Sequence, residues 1–484
     1  AEYEKLQSYS FSNIDHFSVS SLVTRLTSDV TNIQNAVSTG MRPFGRSPVM
    51  LIFATSFAFR INSTLALVFL VALPTLAVLL ILIIINVGPL YGRMQSAIDQ
   101  VNRCIQENLT AIRVVKSYVR GDYEVEKFGV VNENLKSESE KAFGTAVLNM
   151  PAMQFVMYGT ILGILLIGGR LINEGQMMIG QLTSFLSYVL LILNSLMMMS
   201  NVFLLMTRSL ASAERIMEVI DEKIDITDEN AKDIAVAKGE IEFDQVWFKY
   251  KDAAKEYVLS DVSFHIKPGQ TVGIIGQTGS SKTTLVQLIP RLYDVTKGEV
   301  KIDGINVKEY PVRHLRDAVA MVLQKNTLFS GSLIDNLRWG NENATLDEIK
   351  EACQIACVDE FVDRLADGYD TEMGQEGVNV SGGQKQRICI ARAILKKPKV
   401  LILDDSTSAV DTATEAKIRS GLAEKLPDMT KIIIAQRISS VRHADQIIIM
   451  DRGHVEAIGT HESLLRDNQI YQEIYASQKE GADL

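Results

Sequence analysis

The chain changes near its midpoint from long uninterrupted apolar runs to short apolar segments separated by polar ones. Three runs, at residues 62–92, 142–169 and 175–207, contain no Asp, Glu, Lys or Arg over at least the roughly 20 residues that a helix needs to cross a bilayer. A fourth run, at 47–59, is shorter and alone would also suit a buried core helix. Its flanking residues Arg42, Arg46 and Arg60 can extend to a membrane surface, which favours a fourth span.

Positive charge is distributed unevenly among the segments that connect these runs. The connection between the runs at 62–92 and 142–169, which are the second and third spans in chain order, is rich in basic residues: Arg93, Arg103, Arg113, Lys116, Arg120, Lys127, Lys136 and Lys141. Because Lys and Arg accumulate on the cytoplasmic side of membrane proteins, we predict that this segment is cytoplasmic and that the short turns at 61–63 and 171–174 lie outside. The pattern predicts a multi-pass protein of the cell membrane, in contact with membrane lipid.

Apolar strands alternate with helical segments from about residue 239, which is typical of an α/β domain. We predict a membrane domain with cytoplasmic extensions at 1–222, a charged linker at 223–238 and the α/β domain at 239–484. The net charge of −9 gives no sign of a nucleic-acid partner. The four cysteines lack metal-ligand spacing, so we expect reduced packing residues.

A glycine-rich loop follows the predicted strand at 271–275. It fits the phosphate-binding pattern GxxxxGK[ST], except that Ser281 replaces the last glycine, and its candidate binding residues are Gly276, Thr278, Gly279, Ser280, Ser281, Lys282, Thr283 and Thr284. Backbone N–H groups of such a loop surround phosphates; Lys282 would reach the β- and γ-phosphates of ATP, and Thr283 would bind Mg²⁺. Ser281 adds a Cβ close to the phosphates. Because serine is small, we expect nucleotide binding to survive, and the affinity stays open.

Two further motifs follow in order. Ser381, Gly382, Gly383 and Gln384 open a predicted helix, and about one helix later the apolar strand at 400–404 ends in Asp404. With the phosphate loop, they strongly resemble the nucleotide-binding domain of ABC transporters, with its signature loop and Walker B strand. The resemblance covers nearly the whole chain and implies a type IV ABC exporter fold: an all-α transmembrane domain plus an α/β P-loop nucleotide-binding domain.

The resemblance also implies an arrangement of helices. Half-transporters of this family have six spans, so with about four present we expect the first two to be missing from the sequence. Residues 13–18 and 119–124 look like the two cytoplasmic coupling helices, with Gly121 able to break the long helix. In the family these helices contact the ATPase domains, and the second usually crosses to the partner; solvated loops are the alternative.

The resemblance assigns roles at the nucleotide site. Tyr250 would stack on adenine, although an ordinary strand tyrosine is the alternative. Gln324 would contact Mg²⁺ and the attacking water, and Asp404 would hold Mg²⁺ through water. Ser381, Gly382, Gly383 and Gln384 would close over the ATP bound by a partner subunit, so that two chains form two sites.

Two residues depart from the family pattern. An active site in the family has Glu directly after the Walker B Asp and His at the switch about thirty residues later, where this chain has Asp405 and Gln436. Asp is one methylene shorter than Glu, and Gln cannot carry a proton or a charge. Together these departures predict a degenerate site that holds ATP and hydrolyses it weakly.

The resulting hypothesis is a subunit of a bacterial heterodimeric exporter of the multidrug type. It would pair with a second, different ABC half-transporter, export hydrophobic or amphipathic compounds, and place its nucleotide-binding domain in the cytoplasm. The alternatives are a homodimeric, slow-turnover exporter of lipid or peptide, and an ATP-gated regulator or channel. The sequence does not identify the transported compound.

Overall fold

The computed structural model describes residues 1–251 and 253–480. Packing divides the chain into a unit of Ser20–Ile220 and a second unit that joins Ala1–Val19 to the chain from Asp221 onward. The domain limits drawn at residues 222 and 238 stay predictions, since this division follows packing alone.

The first half of the chain is helical. Its α-helices are α1 (Glu2–Gln7), α2 (Phe11–His16), α3 (Val19–Thr24), α4 (Val30–Asn35), α5 (Met41–Ile61), α6 (Ser63–Ala66), α7 (Val68–Thr110), α8 (Ile112–Ser117), α9 (Gly121–Val147), α10 (Asn149–Asn173) and α11 (Ile179–Asp221). Two π-helical segments, Arg25–Asp29 and Ala36–Gly40, separate α3, α4 and α5. Such segments were not predicted, because a one-residue widening of a helix leaves little trace in the apolar pattern.

Part of α10 and part of α11 are suited to a membrane. Among the described residues, Gln154–Asn173 and Ile179–Met199 are long and apolar enough to cross a bilayer, and a shorter apolar helical segment covers Ser63–Leu79. These segments overlap the three longer predicted runs, while the run at 47–59 lies within α5. Phe155, at 81% exposure, shows that large apolar side chains face outward in α10, as lipid-facing residues do. The expected number of four spans stays a prediction.

The helical chain is interrupted between α8 and α9, and the residue that allows the turn is not the glycine that the sequence suggested. Val119 has a φ of 53°, and Gly121 is simply the first residue of α9. The N–H of Arg120 donates to the carbonyl of Val115 at 3.0 Å and that of Val119 to Lys116 at 3.3 Å, which is the Schellman ending of a helix. The helix is interrupted directly before Gly121, within the predicted segment, but Val119 and not Gly121 occupies the left-handed position.

Three sheets form the framework of the second half. Their strands are β1 (Ile241–Phe248), β2 (Leu259–Ile266), β3 (Thr271–Gly276), β4 (Lys297–Ile302), β5 (Ile305–Asn306), β6 (Val319–Val322), β7 (Gly331–Ser332), β8 (Glu372–Met373), β9 (Val400–Asp404), β10 (Thr430–Ile434), β11 (Gln446–Asp451) and β12 (His454–Gly459). The sheet orders are β2-β1-β4-β5, β12-β11-β3-β10-β9-β6 and β7-β8. In the six-stranded sheet β11, β3, β10, β9 and β6 are parallel, and β12 is antiparallel to β11.

Helices cover this framework. They are α12 (Lys282–Gln287), α13 (Val312–Ala318), α14 (Leu333–Arg338), α15 (Leu346–Ile355), α16 (Asp359–Val362), α17 (Gly382–Leu395), α18 (Thr412–Lys425), α19 (Ile438–Val441), α20 (His461–Asp467) and α21 (Gln469–Glu480). Every residue of β9 and β10 is buried, as expected for central strands of a parallel sheet that is covered on both faces. The predicted α/β character is therefore confirmed, and it places the ends of four strands side by side.

Candidate nucleotide site

The candidate residues lie at one edge of the six-stranded sheet. The strands β3, β10, β9 and β6 are neighbours, and each one leads into a segment that contains predicted site residues. β3 precedes the phosphate loop, β10 precedes Gln436, β9 ends at Asp404, and β6 precedes Gln324. Because these strands are parallel, their carboxyl ends meet at the same edge, where ligands of α/β sheets bind.

The phosphate loop depends on three positions of restricted geometry. A Cβ on Gly276 would lie 2.1 Å from the carbonyl oxygen of Met450, so only glycine fits there. Gly279 has a φ of 85°, while Thr278 is exposed and Ser280 is buried. Ser281 has a φ of 71°, in the left-handed region that favours glycine. Replacing the usual glycine by serine therefore strains the backbone directly before α12, in addition to adding a Cβ.

Lys282 is held by the loop that it follows. Its Nζ donates to the carbonyl oxygens of Gly276 and Gln277, both at 2.8 Å, and to Ser280 Oγ at 3.2 Å. Burial lowers the pKa of Lys282, and the carboxylates of Asp405 and Asp404 oppose that shift. The ammonium group is thus placed at the loop, where a bound phosphate could replace the carbonyl partners.

Thr283 and Asp404 form the candidate cation site. Thr283 Oγ1 donates to Asp404 Oδ1 at 3.1 Å, while Asp404 Oδ2 has no hydrogen-bond partner among the described residues. Asp404 is only 1% exposed, and burial raises the pKa of its carboxyl. A buried carboxylate oxygen without a partner, next to a threonine hydroxyl, fits the oxygen ligands that Mg²⁺ prefers.

Asp405, Gln436 and Gln324 converge beside this pair. Gln436 Nε2 donates to Asp405 Oδ2 at 2.7 Å, and the Gln324 side chain lies near enough to lower the pKa of Asp405. Burial raises the pKa of Asp405, which is 9% exposed, while the Gln436 hydrogen bond and the Gln324 side chain oppose the shift. The structure therefore brings together the three side chains that were predicted as catalytic, although their roles stay predictions.

Tyr250 lies beside the phosphate-loop helix. Its hydroxyl is 2.8 Å from Thr284 Oγ1, and its ring meets the rings of Phe248 and Tyr293 edge-on, with centroids 4.9 and 5.1 Å apart. The side chain is 43% exposed. Two edge contacts and a hydrogen bond thus fix the ring and leave surface on which an adenine could stack.

The aromatic cluster around Tyr250 extends to α2, which overlaps the first predicted coupling helix at 13–18. Tyr293 Oη donates to Asp15 Oδ2 at 2.7 Å, and Phe11 contacts the Tyr293 ring with centroids 6.0 Å apart. Burial and the Asp15 carboxylate raise the pKa of Tyr293. The individual partners were not predicted, because an aromatic residue eleven positions after Lys282 is too common to identify a contact with Asp15 or Phe11.

The signature loop is organised by its own helix cap. Ser381 Oγ accepts from the Gln384 N–H at 3.3 Å, and Gln384 Oε1 accepts from the Ser381 N–H at 2.8 Å, so the two residues form a capping box. A Cβ on Gly383 would lie 2.7 Å from the Ala409 carbonyl oxygen, whereas Gly382 has more room. The loop is therefore held against the segment that follows Asp405.

Comparison with known proteins agrees with this geometry. The family models for the ABC transporter transmembrane region and the ABC transporter match residues 2–196 and 259–408, respectively. The chain is 40% identical to an uncharacterized ABC transporter ATP-binding protein of Bacillus subtilis, YfiB, over 99% of this chain and 84% of that protein.

Two relatives have more descriptive names. Both are 33% identical over 94% of this chain: the putative multidrug export ATP-binding/permease protein YgaD of Bacillus subtilis (79% of that protein) and the ATP-dependent lipid A-core flippase of Desulfotalea psychrophila (80%). The structure of a bacterial Atm1-family ABC exporter with ATP bound aligns with a TM-score of 0.84 at 26% identity, covering 99% of this chain and 84% of that one. The chain therefore belongs to the ABC transporters, as a half-transporter of the type IV exporter fold that binds ATP and couples its hydrolysis to export across a membrane.

Proposed function

We propose that this chain is one subunit of a heterodimeric exporter, and that its own site binds ATP but hydrolyses it poorly. The observation that supports this proposal is the 2.7 Å hydrogen bond from the Gln436 amide to the Asp405 carboxylate. At the general-base and switch positions the chain thus pairs a short carboxylate with a neutral amide.

The physical reason is one of reach and proton chemistry. The Asp405 carboxylate lies one methylene nearer the backbone than that of a glutamate, and a misplacement of about 1 Å can lower a rate about 10²-fold. Gln436 can donate a hydrogen bond to a γ-phosphate, but it cannot carry a charge as histidine can. Such a site retains ATP better than it activates water.

Mg²⁺ would be held by Thr283 and Asp404, with Gln324 nearby, and when bound it would neutralise phosphate charge. The unpartnered Oδ2 of Asp404 supports this assignment. Lys282 can leave the carbonyls of Gly276 and Gln277 to contact phosphate. These residues bind and orient the nucleotide, and none of them replaces a missing general base.

The signature loop supports a second, hydrolytic site. Its capping box and its close approach at Gly383 leave the start of α17 intact, and a 14-residue helix favours anions at its N-terminus. Ser381, Gly382, Gly383 and Gln384 would complete the site of a partner that has the usual Glu and His. ATP would then be hydrolysed mainly where it is bound by the partner's phosphate loop.

The contact of α2 with the nucleotide-binding unit gives a route for coupling. Asp15 and Phe11 contact Tyr293, and Tyr293 contacts Tyr250. A groove of about 430 Å³ beside Gln324 is lined by Phe11, Leu323, Phe329 and Trp339, among others. We assign this groove to the second coupling helix of the partner, so that each ATPase unit receives helices from both subunits.

The transported compounds are proposed to be hydrophobic or amphipathic small molecules that enter from membrane lipid. One relative is named for multidrug export and another for flipping a lipid, and both classes of cargo are amphipathic. We place the complex in a bacterial cell membrane, with the nucleotide-binding unit in the cytoplasm.

Purification of the tagged chain from its native membrane tests the pairing. We expect a second, different half-transporter, with Glu after its Walker B Asp and His at its switch, in a 1:1 ratio. Recovery of this chain alone would support a slow homodimer. Single-channel conductance of the purified complex would support a gated channel instead.

A further inference from the structure

One side chain of α21 hydrogen-bonds the switch segment, which is defined here as residues 435–438 around Gln436. Gln478, in α21, places its amide between two backbone groups that flank Arg437. Its Nε2 donates to the carbonyl oxygen of Gln436 at 2.8 Å, and its Oε1 accepts from the N–H of Ile438 at 2.9 Å. One amide thus satisfies both a donor and an acceptor of the same loop.

This contact supplies a helix cap that the loop itself does not provide. Ile438 is the first residue of α19, and its N–H cannot pair within the helix. Arg437, directly before α19, gives no side-chain cap to this helix within the described residues. Gln478 therefore fixes the backbone where β10 ends and α19 begins.

Side-chain packing other than the Gln478 contact also fixes the position of α21. Tyr471 is fully buried, and its hydroxyl lies 2.7 Å from His461 Nδ1. Ile470, Ile474 and Tyr475 pack against the core that contains β9 and β10 residues. Gln478 is therefore placed by a docked helix, and its two hydrogen bonds transmit that placement to the switch segment.

The segment held in this way carries the Gln436 side chain. With its carbonyl bonded to Gln478, Gln436 directs its own amide to Asp405 at 2.7 Å. A side-chain amide can hold one direction only if its backbone is fixed, and small displacements at a reacting centre have large effects. The chain of contacts runs from α21 through the Gln436 backbone to Asp405.

We propose that Gln478 is a positioning residue that keeps Gln436 directed at the nucleotide site, so that docking of α21 sets how well the site distinguishes ATP from ADP. This inference rests on the proposed function, in which Gln436 contacts the γ-phosphate. Gln478 hydrogen-bonds backbone groups of the switch segment, and the inference gives it no contact with the nucleotide.

The test uses the full complex and measures competition by ATP and by ADP against photolabelling of this chain with 8-azido-ATP. Gln478→Met keeps the side-chain length and removes both hydrogen-bonding atoms. Gln472→Met is the matched control, because Gln472 lies on the same helix and donates to the carbonyls of Leu465 and Arg466 at 2.8 and 3.0 Å, away from the switch. Thermal unfolding of each variant checks that the unit is folded.

We expect Gln478→Met to reduce the preference for ATP over ADP about 3- to 10-fold, as the loss of hydrogen bonds would. Gln472→Met should stay within about twofold of wild type. Gln436→Ala should reduce the preference as well, and the double variant should match Gln436→Ala alone, since both changes act on one contact.

Three results would overturn the inference. An unchanged preference in Gln478→Met, with a reduced one in Gln436→Ala, removes the positioning role and leaves the proposed function intact. Equal effects of Gln478→Met and Gln472→Met show a general effect of the helix. An unchanged preference in Gln436→Ala contradicts the γ-phosphate contact, and the proposed role of Gln436 fails together with the inference.

Discussion

The backbone at Asp405 has a φ of 48°, which Asp accepts more readily than most residues. The fold therefore imposes the position of the side chain, and the side chain alone decides how far the carboxylate reaches. Gln436 lies on the neighbouring strand end, within hydrogen-bonding distance. At the general-base and switch positions the departure from the family pattern is thus confined to the side chains, while Ser281 is a separate departure in the phosphate loop.

This confinement predicts a gain of function. Asp405→Glu with Gln436→His should raise ATP turnover at this site by about 10²-fold, since the carboxylate then reaches further and the switch can be charged. The assay uses a complex whose other site is inactivated by removal of the partner's catalytic glutamate. Asp405→Glu alone is the control and should recover less; no gain in the double variant would contradict the degenerate-site reading.

Ser281 predicts a gain in stability. Its φ of 71° is left-handed, and an L-residue there costs roughly 1 kcal/mol relative to glycine. Ser281→Gly should raise the free energy of unfolding of the nucleotide-binding unit by about this amount and should not weaken ATP binding. Urea unfolding followed by tryptophan fluorescence measures the change, and a destabilised variant would show that the serine hydroxyl has a compensating role.

At Asp404 we expect a substitution to stabilise the protein and at the same time to remove its function. Burial raises its pKa, so relative to the unfolded chain the folded state favours the protonated form. Its contribution to stability is therefore greatest below the ordinary aspartate pKa of about 3.9 and is lost as pH rises through the higher folded value. At pH 7 the buried negative charge of Asp404 lowers the stability of the folded state, and Asp404→Asn removes that charge.

We expect Asp404→Asn to stabilise the nucleotide-free protein by about 1 kcal/mol at pH 7, and the gain to vanish near pH 4. Mg²⁺-dependent ATP binding should be lost in the same variant. Thermal unfolding across this pH range measures the first effect. A gain that grows as pH falls would contradict the sign of the shift.

At the scale of elements, an ion pair holds the C-terminal part of α11 against the π-helical segment Arg25–Asp29. Asp29, 1% exposed, accepts from Ser212 Oγ and from Arg215 Nε, both at 2.8 Å. Arg25 adds a bond to the Arg215 carbonyl at 2.6 Å and an ion pair with Glu218 at 2.7 Å. The hydrogen bond from Arg215 lowers the pKa of Asp29. This contribution is present above the ordinary aspartate pKa and is lost as pH falls through the lower folded value.

Asp29→Asn should therefore open this contact. Breaking a buried ion pair costs roughly 3–5 kcal/mol, and the 47% exposure of Arg215 reduces the expected loss to about 2 kcal/mol. Hydrogen exchange of the peptides that contain residues 25–35 and 209–221 measures the local opening. Glu218→Gln is the control and should have a smaller effect, because Glu218 is an exposed partner of Arg25. Equal exchange in both variants would contradict the role assigned to the Asp29–Arg215 ion pair.

The sequence predicted some elements better than others. The strands around Asp404 and the phosphate loop could be predicted because buried parallel strands are continuous apolar runs followed by glycine and polar motifs. The turn at Val119 could not, because a valine in the left-handed region contradicts residue preference, and the sequence suggested Gly121 instead. The π-helical segments also left no pattern.

At the scale of the whole molecule, local motifs located the site residues, but distant contacts completed the site. The motifs predicted that Gln324, Asp405 and Gln436 would meet; a hydrogen bond joins Gln436 to Asp405, and Gln324 lies beside them. The resemblance implied that residues 13–18 would contact the ATPase domain, but not that Asp15 would bond Tyr293, and nothing in the sequence indicated that Gln478 would hold the switch backbone. Such contacts depend on how elements pack and not on spacing.

ATP turnover of the purified complex tests the central claim, the asymmetry of the two sites. Asp405→Ala in this chain is compared with removal of the partner's catalytic glutamate. We predict that the partner change lowers turnover by about 10²-fold or more, while Asp405→Ala retains most of the activity. If Asp405→Ala abolishes turnover, Asp405 is a working general base, and the account of a degenerate site is contradicted.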